Sequence, residues 1–169
     1  MNTINKLSLL AILLAITITI SAQSKSYRIY DEFGHRDGFT ALAFSKAMID
    51  AVNLNIDEEN KKITGDLMEI RILIADRQKT KAEGSLSKII SEKLNKSDCR
   101  KVQPKDIKED DNVEFWIEGD SKKVKECHVI VIDSDDKQFS CLVSFYGDFK
   151  VEDLKSFEKF SRKQVGKTE

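Results

Sequence analysis

The longest apolar run in the chain is Leu7 to Ile20. It follows Lys6 and ends at the small pair Ser21-Ala22. One basic residue, a short apolar core and small residues at its end make a secretory leader. The run holds about 14 residues, which is short for a hydrocarbon core about 30 Å thick. Polar sequence follows it with no stop-transfer pattern, so cleavage after Ala22 is expected, and a retained signal anchor is the alternative. No cysteine stands at the end of the run to carry a lipid. The reading is a leader over 1–22 and one domain over 23–169, exported to the periplasm or beyond, with no permanent transmembrane anchor.

Downstream, the apolar positions change period. Phe44, Ala47, Met48, Ala51 and Val52 recur at i, i+3, i+4, i+7 and i+8, one stripe of a helix. The residues before them, Gly38 to Ala43, fit either a short strand or a first helical turn. From Leu67 to Ala75 the period is two: Met68, Ile70, Ile72 and Ile74 on one side, Leu67, Glu69, Arg71, Leu73 and Ala75 on the other. Because the second side is also mostly apolar, an interior strand is expected. Ser85 is a candidate N-cap for a helix carrying Leu86, Ile89, Ile90 and Leu94. Between Cys99 and Ile107, Pro104 limits any strand to an edge or an interrupted one.

Three strands then follow at hairpin spacing: Val113 to Glu118, Val124 to Ile132, and Gln138 to Tyr146, closed respectively by Gly119-Asp120, Asp133 to Lys137, and Gly147-Asp148. Lys150 to Phe160 returns to helical spacing through Val151, Leu154, Phe157 and Phe160, and a polar tail frays from about residue 162. The expected fold is α+β: an antiparallel sheet of four or five strands with about three helices packed mainly on one face. Gly147 is read as the structural turn between the last strand and the last helix.

Without Lys6 the mature chain carries 27 basic and 29 acidic residues, and such a balance offers no field to draw in a polyanion, so no nucleic-acid partner is expected. Cys99, Cys127 and Cys141 permit one bridge in an oxidising compartment. Cys127 and Cys141, on neighbouring predicted strands, are the candidate disulfide; the alternative is three small buried hydrophobes.

Assembled chemistry is not visible. His35 and His128 have no second ligand at a recognisable spacing, and Cys127 and His128 point to opposite faces of their strand. There is no serine elbow, Ser45-Lys46 lacks the Ser-x-x-Lys spacing, and no phosphate loop or dinucleotide fingerprint occurs. The acidic groups Asp133, Asp135, Asp136 and Glu109, Asp110, Asp111 lack the loop of an EF-hand. No catalytic residue, metal ligand or cofactor is assigned, and the chain is not read as an enzyme. Trp116 and Tyr146 are candidate contacts for a partner. Trp116 shares a strand face with Glu114 and Glu118, and either stands on the solvated side or is covered by a helix.

Three stretches carry a resemblance: Phe39 to Asp50 (FTALAFSKAMID), Ile63 to Ile74 (ITGDLMEIRILI) and Phe139 to Leu154 (FSCLVSFYGDFKVEDL). In hydrophobic spacing, and in Ser45-Lys46, Gly65 and Gly147, they resemble the DUF4252 family of exported bacterial proteins, found mainly in Bacteroidota. That resemblance implies export and brings no catalytic residues. The expected role is that of a noncatalytic envelope protein acting through structure or through an envelope protein partner. The alternative is a periplasmic small-molecule or lipid carrier, which would need a closed apolar pocket. N-terminal sequencing of the stable product should return Gln23; a product still carrying Lys6 would contradict the leader.

Overall fold

The structure is a computed structural model that describes residues 24–51, 65–80, 85–104, 112–120, 122–133 and 138–165. The leader over 1–22, the acidic groups at 109–111 and 135–136, and the chain end at 166–169 lie outside the described residues. In order the elements are α1 (Tyr27–Phe33), β1 (Phe39–Ser45), α2 (Lys46–Ala51), β2 (Asp66–Ala75), α3 (Arg77–Thr80), α4 (Leu86–Lys96), β3 (Arg100–Val102), β4 (Val113–Gly119), β5 (Val124–Ile132), β6 (Phe139–Phe149), a 3-10 turn (Val151–Asp153) and α5 (Leu154–Val165).

The strands form one antiparallel sheet in the order β1-β2-β6-β5-β4-β3. The expected α+β class and the β4-β5-β6 meander are present, with six strands in place of four or five. The additions are β1, which takes the strand alternative for Phe39 to Ala43 and extends it through Ser45, so that Phe44 joins the strand and not the helical stripe expected of it, and the three-residue β3. As Pro104 requires, β3 lies at an edge and stops before it. Helix α5 runs to Val165, so the tail expected to fray from about 162 is helical that far.

Alternation along the central strands divides the core in two. Ile70, Ile72, Phe115, Ile117, Val129, Val131, Val143 and Phe145 point to one face and pack with Ile49 of α2 and with Leu154, Phe157 and Phe160 of α5. Phe157 stacks on Phe145 with centroids 4.0 Å apart and meets Phe149 edge-on at 5.0 Å. Leu73, Trp116, Ile130 and Leu142 point the other way, against Ile29, Tyr30 and Phe33 of α1 and Leu86, Ile90 and Leu94 of α4. Helices α1 and α4 thus share one face, while α2 and α5 lie against the other. Ser85 stands at the N-cap of α4 as expected, but its side chain makes no cap hydrogen bond.

Two expectations from the sequence change. Cys127 pairs in register with Phe145, and Cys141 with Val131. The two cysteines are therefore displaced by four positions, roughly 13 Å along the strands, beyond the reach of a disulfide. All three cysteines are free and buried. Gly147 does not end its strand: β6 continues to Phe149, and Gly147 pairs with Leu67 inside the sheet. Its φ of +158° is nearly extended. Its reason for being glycine is close approach: the register shifts between Leu67 and Glu69, and a Cβ at 147 would lie 2.1 Å from the Asp66 carbonyl oxygen. Met68, the extra residue at that irregularity, is half exposed.

Because a backbone oxygen must move to admit the methyl group, Gly147→Ala is expected to cost ~1–3 kcal/mol. Leu154→Ala, at a side chain buried under α5, is expected to cost ~2–4 kcal/mol. Urea denaturation of both variants against wild type checks the pair. A neutral Gly147→Ala would contradict the close approach, and a neutral Leu154→Ala would remove α5 from the core.

Candidate functional site

On the face covered by α1, register aligns polar side chains from three neighbouring strands. Glu69 of β2 is opposite Tyr146 of β6, which is opposite Glu126 of β5. The next row is Arg71, Ser144, His128 and, on β4, Trp116. The row after that, Leu73, Leu142 and Ile130, is apolar. Such rows in mid-sheet are stable only if each polar group finds a partner once covered.

Helix α1 supplies most of the partners. Its apolar side comes from Ile29, Tyr30 and Phe33, and Ser26 stands at the cap position. The Ser26 side chain does not cap the helix. Its hydroxyl donates instead to Glu126 Oε2 at 3.0 Å and lies 2.9 Å from the Tyr146 hydroxyl. Tyr30 reaches Ser144 Oγ at 2.5 Å and the Arg71 carbonyl at 3.2 Å. The Tyr27 hydroxyl donates to Glu69, which accepts from Arg71 Nε at 2.6 Å, and the Arg71 guanidinium lies 3.6 Å from the centre of the Tyr27 ring. Burial raises the Tyr27, Tyr30 and Tyr146 phenols above their ordinary range, so all three serve as neutral hydroxyls.

At the centre, His128 Nδ1 is 2.7 Å from Ser144 Oγ and Nε2 is 3.2 Å from Glu126 Oε2. His128 and Ser144 are fully enclosed. Burial works against the charge of Glu126, but the hydrogen bond and charge of His128, with the hydroxyls of Ser24 and Ser26, hold its carboxyl below the usual range. Cys99 completes the group: its Sγ, a Glu126 oxygen and a His128 nitrogen all lie within 4.8 Å of one another. Burial, aided by nearby carboxylates, pushes that thiol up to about 12.

The turn that delivers Cys99 is a helix C-terminus. Ser97 ends α4, Asp98 takes φ +65°, and the Cys99 N–H returns to the Leu94 carbonyl at 3.1 Å. That is the long hydrogen bond of a Schellman motif, and Leu94 and Cys99 are buried together as the motif requires.

Ser144, His128 and Glu126 have the composition of a hydrolase triad. The arrangement lacks access: Ser144 lies beneath Tyr30 with no exposed surface, so no substrate carbonyl can reach its oxygen. The acid also meets the Nε2 edge and the serine the Nδ1 edge, opposite to the serine protease arrangement. What the group can do as built is hold a proton or a cation among a thiol, a carboxylate and an imidazole.

The structure buries both residues that the sequence suggested as partner contacts. Trp116 is 9% exposed and Tyr146 6%. Trp116 packs with Leu86, Ile90 and Leu94 of α4 and donates from Nε1 to Glu114 Oε2 at 3.1 Å, which is the covered alternative. Tyr146 belongs to the polar rows. His35 is exposed, and Cys127, as expected, faces away from His128. The sequence reading missed α1, although Ser26, Ile29, Tyr30 and Phe33 stand at i, i+3, i+4 and i+7. It also missed Cys99 beside His128, which no local spacing signals.

Glu114 gives the face a measurable pH signature. Burial alone would raise its carboxyl, but Lys101 (2.9 Å), Trp116 Nε1 (3.1 Å) and Ser91 Oγ (3.0 Å) hold it below its ordinary value. A folded value below the unfolded one stabilises the native state above the unfolded pKa and loses that effect as pH falls through the folded one. Glu114→Gln is expected to cost ~1–2 kcal/mol at neutral pH, with the deficit shrinking below roughly pH 4.5. Denaturation midpoints across pH check this; a pH-independent deficit would contradict it.

No curated protein and no solved structure matches the chain at a significant level. The family model for the domain of unknown function DUF4252 matches residues 30–157. That span begins inside α1, ends inside α5 and takes in all six strands, and on it the chain belongs to the DUF4252 family.

Proposed function

We propose that this is a noncatalytic, exported envelope protein that works through protein interaction, by adding a strand at the free edge of β1, and that the added strand is the β1 of a second copy. The leader supports export. The observation that carries the interaction is the contrast between the two sheet edges.

At one edge, β3 is three residues long, contains Arg100 and Lys101, and is followed by Pro104. Short length, basic side chains and proline are the usual protections against edge-to-edge pairing. At the other edge, β1 is seven residues long and has none of these. Its sequence, Phe-Thr-Ala-Leu-Ala-Phe-Ser, is uncharged, its middle is exposed, and Leu42 keeps 42% of its surface. Among the described residues no strand pairs with its outer side. Strand addition to such an edge draws on main-chain hydrogen bonds, with alternate side chains setting the fit.

A second copy suits the edge because the middle of the strand, Ala41-Leu42-Ala43, reads the same in both directions about Leu42. A two-fold antiparallel pairing centred there sets Ala41 against Ala43, Leu42 against Leu42 and Thr40 against Phe44, with no like charges opposed.

The carrier reading has less to support it. Between sheet and helices the space is filled by the two clusters. Two clefts among the described residues are open ones, of about 260 Å³ beside Tyr30, Ala41 and Arg71 and about 520 Å³ beside Lys122, Lys123 and Phe149.

Sedimentation of the mature protein over a concentration series is expected to show a dimer, and Leu42→Lys, which opposes two lysines at the two-fold, a monomer that melts at the wild-type temperature. A wild type that stays monomeric, or a Leu42→Lys protein that stays dimeric, would refute this pairing.

A further inference from the structure

We propose that Cys99, Glu126 and His128 form a zinc site beneath α1. Thiolate, carboxylate and imidazole are the protein ligands zinc takes, in combinations of three or four. In a tetrahedral zinc complex the ligand atoms stand roughly 3.3–3.6 Å apart. His128 Nε2 and Glu126 Oε2 are already 3.2 Å apart, and with all three atoms within 4.8 Å of one another, Sγ needs to move by about an ångström.

The surroundings of the imidazole suit a zinc ligand. Tyr30 donates to Ser144 Oγ at 2.5 Å, and that oxygen lies 2.7 Å from His128 Nδ1. On the other edge of the ring, Nε2 faces a Glu126 carboxylate oxygen, with the sulfur of Cys99 beside them. With zinc on Nε2 the ring proton sits on Nδ1 and Ser144 Oγ accepts it, the kind of fixed acceptor that sets the tautomer of a zinc-bound imidazole.

Binding replaces the S–H bond of Cys99 with a Zn–S bond, and the proton leaves to solvent. The carboxylate and imidazole lone pairs complete the set, and no electrons are transferred. Entry lies under Ser24 to Ser26, which cover Glu126 through the Ser26 hydroxyl and are tied to the α4 turn by the exposed Lys25–Asp98 ion pair at 2.5 Å. An exposed pair of this kind is weak enough to open.

Titration of the chelator-treated mature protein with zinc is expected to show one ion bound per chain, one proton released and a higher melting temperature. Cobalt(II) in its place should give a thiolate-to-metal charge-transfer band. Cys99→Ser should abolish that band, and both Cys99→Ser and His128→Gln should weaken zinc by more than about 100-fold, with Ser144→Ala weakening it about tenfold through the imidazole. Cys127→Ser and His35→Ala should bind as wild type does. Absence of zinc binding by the wild-type protein would overturn the site. Zinc bound as tightly by a folded Cys99→Ser or His128→Gln, or lost in His35→Ala, would place the ion elsewhere and overturn it equally.

Discussion

The hydrogen-bonding demand of two polar rows in the middle of the sheet governs the rest of this molecule. Glu69, Tyr146 and Glu126, with Arg71, Ser144 and His128 beside them, occupy central strands where an apolar layer would otherwise continue. Each buried polar group left without a partner costs ~1–3 kcal/mol, and several together would rival the net stability of a domain this size. Helix α1 meets that demand with Ser26, Tyr27 and Tyr30, while Ile29 and Phe33 pack on the apolar part of the same face. Its position is therefore specified twice, by polar and by apolar contacts.

The two faces consequently differ in kind. Under α5 the core is aromatic and aliphatic, with Phe157 in contact with both Phe145 and Phe149. It supplies stability without chemistry. Under α1 and α4 the apolar cluster grades into the polar rows, and the one strained non-glycine backbone among the described residues, Asp98, turns Cys99 into them. A buried network of this type is costly when half satisfied and restrictive when complete. It restricts the sheet register, because a shift of one residue would carry the rows to the opposite face and leave α1 over apolar residues.

The edges show a comparable division. One is shortened, charged and followed by proline; the other is long, uncharged and unprotected. Both features are visible residue by residue, yet neither Arg100-Lys101 nor Thr40-Ala41-Leu42 has meaning as an edge until the strand order is known. Trp116 illustrates the reverse. Beside Glu114 and Glu118 on its strand it reads as half solvated, but α4 covers it and Glu114 accepts its N–H. A single strand reports which residues share a face and says nothing of what lies over it.

The sequence by itself determined the elements whose periodicity is long and unmixed: β2, the meander of β4 to β6, α4 and α5, and with them the α+β class and the edge position forced by Pro104. These are local consequences of side-chain alternation and of the missing proline N–H, and they need no neighbour. Helix α1 was legible in the same terms at Ser26, Ile29, Tyr30 and Phe33, but it is short and follows closely on the apolar run Leu7 to Ile20. Tertiary structure alone decided what depends on register and on chain reversal. It separated Cys127 from Cys141 and made Gly147 a site of close approach in place of a turn. It also lined up Arg71, Ser144 and His128, and brought Cys99 from the end of α4 to His128 across 29 residues of chain. The physical reason is that a strand's own pattern sets only the direction of each side chain, whereas pairing sets which side chains meet.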